Sequence, residues 1–404
     1  MLQVKTPEET SQIIDSRFGH LRTACETAPI REAPGRMVYG EIISEEYIPG
    51  FDRSSMDGYA LVSADTFGCS DSLPAMFRRI GESEMGKASG LRVVSGECAY
   101  VHTGSEIPEG ADAVVMIEHT EDYGDGLIGA LSPCAPGENI VFKGDDAEPG
   151  KKLYANGHCL RPHDIGALSA LGHTSVPVYK RPSVAIISTG NELVPADAVP
   201  GCGQMRDVNS NMLEAATVAA GGEARSLGIA PDDEGALARR LKQAEGSDLI
   251  LLSGGSSAGA KDIALAVIDK LGKTWVHGIA IKPGKPTIIG EIGGAPVFCL
   301  PGHPVAAYYV FTRFVDPLVR SMQGSKAQRR ELRATLGAAL PSNHGREEFV
   351  PVRLTHSGNA VEAAPVRGKS GLITLLANTQ GFIIIPRDCE GIAPGETVTV
   401  YLYG

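Results

Sequence analysis

Three turns that follow apolar runs carry the side chains best suited to chemistry. They are Thr189-Gly190-Asn191-Glu192 after SVAIIS, Ser253-Gly254-Gly255-Ser256 after DLILL, and Pro301-Gly302-His303-Pro304 after APVFCL. Glycine in such turns lets backbone N–H groups approach an anion, and a helix N-terminus close by adds positive potential. Three ordinary tight turns would read the same way. Around these turns sit Glu192, Asp232 in LGIAPDDEG and Asp262 in SGGSSAGAKD, each just beyond a strand end. Carboxylates beside an anion cradle are unfavourable unless a divalent cation joins them to it, and Mg²⁺ held by one or two carboxylates and phosphate oxygens is the usual case. Each acid also suits a helix N-cap or first turn, Asp232, Asp233 and Asp262 especially.

Lys282-Pro283-Gly284-Lys285-Pro286 sets two cations on a loop stiffened by proline, which suits an oxyanion or a phosphate. A plain turn with solvated lysines is the alternative. The segments from Arg53 to Ala60 and from His102 to Asp112 are polar loops dense in specific side chains, and by spacing alone they are turns. The histidines show no metal-ligand spacing.

Strands alternating with helices must position the three turns. SVAIIST (183–189) is a continuous apolar run of the kind a parallel sheet buries on both faces. It is followed by a helical pattern at 209–220, a strand near 224–229, a helix at 233–245, the strand DLILLS (248–253) and a helix at 262–271, which together imply βαβ units in a three-layer, mostly parallel sheet. In open sheets of this kind ligands bind outside the carboxyl ends of the strands. Before this region, one helix is expected over 6–28, opened by Thr6-Pro7-Glu8-Glu9, and then β-rich runs such as RVVSG, CAYVHTG and ADAVVMIE. After it, QGSKAQRR (323–330) reads as a polar linker, and EFVPVRLT, GFIIIPRD and ETVTVYLY return to strand-like alternation.

A chain of 404 residues exceeds one ordinary core, so several domains are expected. Its net charge of −11 and the lack of a dense Lys/Arg run argue against nucleic acid as a partner. Eight cysteines without a C-x-x-C pair suggest neither a zinc ribbon nor a disulfide scaffold. The N-terminus lacks an apolar signal core and no run reaches the ~20 apolar residues that cross a bilayer, so a soluble, cytoplasmic protein without a membrane partner is expected.

Taken together, MDGYA, HTGSEIPEGADAVVMIE, STGNEL, RDVNSNML, SGGSSAGAKD, AIKPGKP and LPGHPVAA resemble the signature loops of the molybdopterin molybdenumtransferases, the MoeA and gephyrin E-domain family. Order and spacing match over essentially the whole chain. The resemblance implies a multidomain α/β plus β protein and an L-shaped homodimer. Its protomer would have an elongated dimerisation domain (1–45 with 140–179), an inserted β-rich domain (46–139), a central three-layer α/β molybdopterin-binding domain (180–327) and a C-terminal β-barrel (328–404). It implies that molybdenum from molybdate enters adenylylated molybdopterin with Mg²⁺-dependent release of AMP. Asp57, Thr103, Glu192, Asp232, Asp262, Lys282 and Lys285 would be catalytic, and Glu192, Asp232 and Asp262 would hold the metal. Thr189, Gly190, Ser253, Gly254, Gly255, Pro301, Gly302, Arg346 in HGREEF and Ser370 in RGKSG would bind the cofactor. Molybdopterin adenylyltransferase and downstream molybdoenzyme maturation proteins are the implied partners. Asn191 stands where the family commonly has Asp, serine and alanine replace valines in SGGSSAGAKD, His303 replaces Asn, and position 278 is Gly where some members carry lysine. A non-catalytic scaffold would be expected to lose the acid set, and a nucleotide-pyrophosphate hydrolase would need neither the MDGYA half nor the barrel.

Overall fold

A computed structural model describes residues 4–254, 258–326, 330–358 and 360–403. Its first helix, Pro7–Phe18, starts on a reciprocal cap: Thr6 Oγ1 accepts from the Glu9 N–H at 3.1 Å, and Glu9 Oε2 accepts from the Thr6 N–H at 2.8 Å. The expected extension to residue 28 does not form. Cys25–Pro29 is instead a strand, paired antiparallel with Ser175–Tyr179, and a partner so distant in sequence leaves no mark on local periodicity.

Ile42–Ile43 pairs in the same way with Lys152–Tyr154. Between these pairings lies a six-stranded sheet in the order Ala113–Met116, Gly58–Leu61, Glu97–Val101, Ala75–Ser83, Leu127–Ala130 and Thr120–Asp122. RVVSG, expected as a strand, makes only the single bridge Arg92↔Glu109. Gly90 (φ 59°) and Gly96 (φ 79°) turn the chain on either side of it before pairing can extend.

The central sheet has the order Glu223–Ala230, Ser183–Thr189, Leu249–Gly254, Ala295–Leu300, Ile288–Ile292 and Lys273–His277. The first four strands are parallel; Ile288–Ile292 runs antiparallel to them, and Lys273–His277, antiparallel to it in turn, again runs with the first four. The apolar runs are buried on both faces because helices cover both. Val184, Ile186, Leu249 and Leu251 pack with Leu213, Val310 and Val319 on one side. Ala185, Ile187, Ile250 and Leu252 pack with Leu237, Leu241 and Ile268 on the other. From Ser183–Thr189 the chain moves to one neighbour, Glu223–Ala230, and then crosses to the other, Leu249–Gly254. The strand order therefore reverses there, which opens a crevice at the carboxyl ends.

Beyond it, Glu347–Ser357, Ala360–Pro365, Glu331–Leu336, Thr397–Leu402 and Gly381–Ile385 close into a five-stranded barrel. Ile281–Lys282 adds alongside Glu347–Ser357 in parallel, which sets Lys282 opposite Glu348. Tyr309 stacks on Phe349 with ring centroids 5.1 Å apart, and its hydroxyl lies 2.9 Å from that of Tyr403, so an aromatic joint fixes the barrel against the central sheet. The expected linker at 323–330 begins inside the fold. Gln323 is buried and its Nε2 donates to Val319 O and Ala220 O, while residues 327–329 lie outside those described.

Candidate functional site

The ends of the central strands are held together by a polar clasp from RDVNSNML. Asp207 Oδ1 accepts from the N–H groups of Asn209 and Ser210, each at 3.1 Å, and its Oδ2 accepts from Ser210 Oγ at 2.6 Å. Ser210 Oγ in turn lies 2.8 Å from Ser188 Oγ. Asn209 Nδ2 donates to Ser253 Oγ and to Gly302 O, both at 2.8 Å, joining two of the three strand-end turns. Ser253, expected to bind a ligand, is only 1 % exposed, and its hydroxyl is committed to Asn209. Thr189 closes on Gly254, where an added Cβ would meet Thr189 O at 2.1 Å at φ 138°, so only glycine fits.

Asp207, Asn209 and Ser210 belong to RDVNSNML, one of the segments that carry the resemblance, but none of the three is among the expected site residues. The available signal was a dense polar run directly before an apolar helix. Asn209→Ala orphans Ser253 Oγ and Gly302 O, but it also removes an Asn Oδ1 that is buried without a partner among the described residues. The expected net loss is about 2 kcal/mol of stability. Urea unfolding followed by the single tryptophan, Trp275 in the central sheet, measures it. A change under about 0.5 kcal/mol would be that of an ordinary surface substitution and would refute the clasp.

Two acids meet beside the clasp. Burial, and then the charge of Glu192, push the Asp232 carboxyl above its ordinary value, against the pull of the Asn191 backbone N–H. Capping falls to its neighbour: Asp233 Oδ1 accepts from the Ala236 N–H at 2.8 Å at the start of Glu234–Gln243, so Asp232 keeps its carboxylate free of that role. Glu192 is anchored through its backbone carbonyl, which accepts from the Met205 N–H at 2.9 Å. Asp262 is placed differently from the expectation. It lies within the helix Ala258–Leu271, past its first turn, because alanines upstream extend the helix. Gly255 lies outside the described residues. No three of His, Cys, Asp and Glu form a metal-holding group among the described residues, and the charge of Glu192 acts on Asp232.

The loop Lys282–Pro286 meets the turn Pro301-Gly302-His303 and the barrel residues Arg346 and Ser370 around a pocket of about 200 Å³. Elements of the central domain and of the barrel thus supply three cations to one cavity. His303 Nδ1 lies 2.8 Å from Ser370 Oγ, and the Val305 N–H donates to Ser370 O at 3.2 Å, tying the two parts at its rim. Lys282 Nζ is 2.9 Å from Glu348 Oε1.

Asp57 and Thr103 come together elsewhere. Asp57 precedes the strand Gly58–Leu61 and Thr103 follows its antiparallel neighbour Glu97–Val101, whose register sets Gly58 opposite Val101. Asp57 Oδ1 accepts from Thr103 N–H at 2.6 Å and from Thr103 Oγ1 at 3.0 Å. Gly58 is required beside it, since an added Cβ would meet Val115 O at 2.0 Å. The Thr103 backbone N–H, and then its hydroxyl, hold the exposed Asp57 carboxyl below the usual aspartate value. The tie between the two loops is therefore present above the ordinary aspartate pKa and is lost as pH falls through the lowered one. Thr103→Val should move the Asp57 titration upward, as read from the carboxyl carbon by NMR, while an unmoved titration would rule the hydroxyl out as a contributor. No hydrogen bond or ion pair among the described residues links Asp57 or Thr103 to Glu192, Asp232 or the lysine loop.

A reversing α/β sheet, a β-rich part before it and a closed barrel after it define a multidomain protein of mixed α/β class. Three family models cover the chain in order: "MoeA N-terminal region (domain I and II)" over residues 5–172, "Probable molybdopterin binding domain" over 185–321, and "MoeA C-terminal region (domain IV)" over 333–403. Molybdopterin molybdenumtransferase 2 of Mycobacterium tuberculosis is 33% identical over 93% of this chain and 94% of its own. Molybdopterin molybdenumtransferase of Bacillus subtilis is 31% identical over 100% of this chain and 95% of its own. The solved structure of the molybdopterin biosynthesis MoeA protein of Pyrococcus horikoshii superposes with a TM-score of 0.85 at 36% identity, covering 99% of both chains. The chain belongs to the MoeA family of molybdopterin molybdenumtransferases.

Proposed function

We propose that this chain inserts molybdenum from molybdate into adenylylated molybdopterin, with Mg²⁺-dependent release of AMP. The observation that carries the reading is the convergence of Lys282, Lys285, Arg346 and Ser370 on one pocket at the same end of the fold as the Glu192–Asp232 pair. A dianionic oxyanion must approach an anionic dithiolene and a phosphoanhydride. The pocket cations lower that repulsion where it is greatest, in a partly desolvated site. The acid pair fits Mg²⁺, because a divalent cation offsets the burial of the Asp232 charge, the main cause that raises it, and the repulsion from Glu192, the second. Glu192 and Asp232 would hold it, and when bound it supplies positive charge beside the phosphate groups. Thr189, Gly190, Gly254 and Gly255 are assigned to the phosphate end of the pterin, with Asp262 as a further acid on the adjoining helix. No nucleophile from the chain is required.

The same reading divides the chain into 1–45 with 140–179, 46–139, 180–327 and 328–404, and makes it a cytoplasmic homodimer. Each active site would be completed by Asp57 and Thr103 of the other protomer. Molybdopterin adenylyltransferase would supply its substrate and molybdoenzyme maturation proteins would take its product. Among the described residues no helix is long and apolar enough to cross a membrane. The reading is tested by incubating the protein with adenylylated molybdopterin, Mg²⁺ and molybdate and measuring AMP and pterin-bound molybdenum. Equal release of both supports it. Binding without AMP release would mark a scaffold, and AMP release that ignores molybdate would mark a hydrolase.

A further inference from the structure

Glu348 stands behind the pocket, against its lining residue Lys282, without belonging to the set that the proposed reaction uses. Its Oε1 lies 2.9 Å from Lys282 Nζ, its Oε2 accepts from Ser342 Oγ at 2.7 Å, and its side chain is only 15 % exposed. Strand pairing fixes it there, since Lys282 and Glu348 are opposed in register where Ile281–Lys282 joins the barrel strand. Its neighbour Glu347 does not share the task, because Arg313 Nε holds it at 3.2 Å. The pocket is therefore lined by three permanent cations, Lys282, Lys285 and Arg346, and one carboxylate behind the lining, Glu348, touches one of them.

We propose that Glu348 is the specificity-determining counter-charge of this pocket: it sets the net charge at +2, matched to a tetrahedral dianion, and lends Lys282 to that anion reversibly. The inference rests on the oxyanion reading of the pocket. A pocket of three uncompensated cations would hold any multivalent anion, phosphate groups included, more tightly and release it more slowly. With Glu348 present, an oxyanion must compete for Lys282, and the carboxylate repels each anion in proportion to its charge, so the most highly charged anions lose the most affinity. Ser342 holds Glu348 in place after that exchange, so Lys282 can return to it when the anion leaves.

The effect of removing the charge scales with the charge of the ligand. Across a solvent-screened separation, a unit charge is worth on the order of tenfold in the binding of a dianion. For a monoanion of the same shape the exponent halves, which leaves about threefold. Glu348→Gln keeps the size and a hydrogen-bonding group toward Ser342 and Lys282 while it deletes the charge.

The experiment measures the binding of molybdate and of perrhenate, a tetrahedral oxo-monoanion, to the full chain by calorimetry. It is run at about pH 8. Relative to the unaltered chain, Glu348→Gln should bind molybdate about tenfold tighter and perrhenate about threefold tighter, so that discrimination by charge changes about threefold. Glu348→Asp, which retains the charge, should return the ratio toward its original value. An unchanged ratio in Glu348→Gln, or weaker molybdate binding in a variant of unaltered melting temperature, overturns the proposal. If Glu348→Gln does not fold, a ratio shifted in Glu348→Asp as far as expected for full charge loss also overturns it, since the charge is still there. Failure of the unaltered chain to bind either ion is a different outcome: it removes the oxyanion reading of the pocket itself.

Discussion

Replacing Lys282 and Lys285 together with alanine is expected to raise the molybdate concentration needed for half-maximal AMP release by roughly a hundredfold, while pterin binding changes far less. A hydrogen bond to a charged group is worth about 1.5–3 kcal/mol. Lys282 is 43 % exposed and shares its charge with Glu348, so the low end of that range applies to each lysine. Two such losses give about 3 kcal/mol, a little over two decades. Removal of Lys282 also leaves Glu348 facing the pocket without its cation, which adds repulsion toward a dianion and acts in the same direction. Titrating AMP release against molybdate checks the result. Unchanged dependence on molybdate would show that the loop is structural only and would take the pocket out of the reaction.

The second large effect is a recovery. Asp57→Ala and Asp232→Asn chains are each expected to be inactive, and mixing them should restore about a quarter of the original activity. Asp57 and Thr103 are bonded to each other, Asp57 is exposed, and no hydrogen bond or ion pair among the described residues ties them to the acid pair or the lysine loop of their own chain. Two copies related by a two-fold axis can bring them to each other's strand ends. Random exchange makes about half of the dimers mixed, and each mixed dimer holds one intact site of two, hence about a quarter.

Asp232→Asn should not confound this by unfolding. The folded-state value of Asp232 is raised, so the stability it contributes is present at low pH and is lost as pH rises through that value. At neutral pH its charge is a cost that asparagine removes. Native mass spectrometry confirms exchange, and exchange without recovered activity would show that both halves act within one chain.

Much of the architecture and part of the site follow from residue order alone. Apolar runs of strand length, such as those from Ser183 and Ala295, can be satisfied only by burial on both faces, and the glycine turns behind them mark the ends where ligands gather. The cation pair on Lys282–Pro286 is likewise visible, because composition and proline spacing are local properties. What each polar side chain does with its hydrogen bonds is not local. Asn209 reaches partners 44 and 93 residues away, which makes Ser253 part of a clasp as well as a strand-end residue. Asp232 and Asp233 are indistinguishable as adjacent acids until helix geometry assigns the cap to Asp233 and leaves Asp232 beside Glu192. Glu348 is one of two consecutive acids until strand register sets it against Lys282 and leaves Glu347 to Arg313. Periodicity and turn chemistry specify which residues are buried and where the chain bends, whereas pairings between charges depend on distances that exist only after distant strands have been aligned.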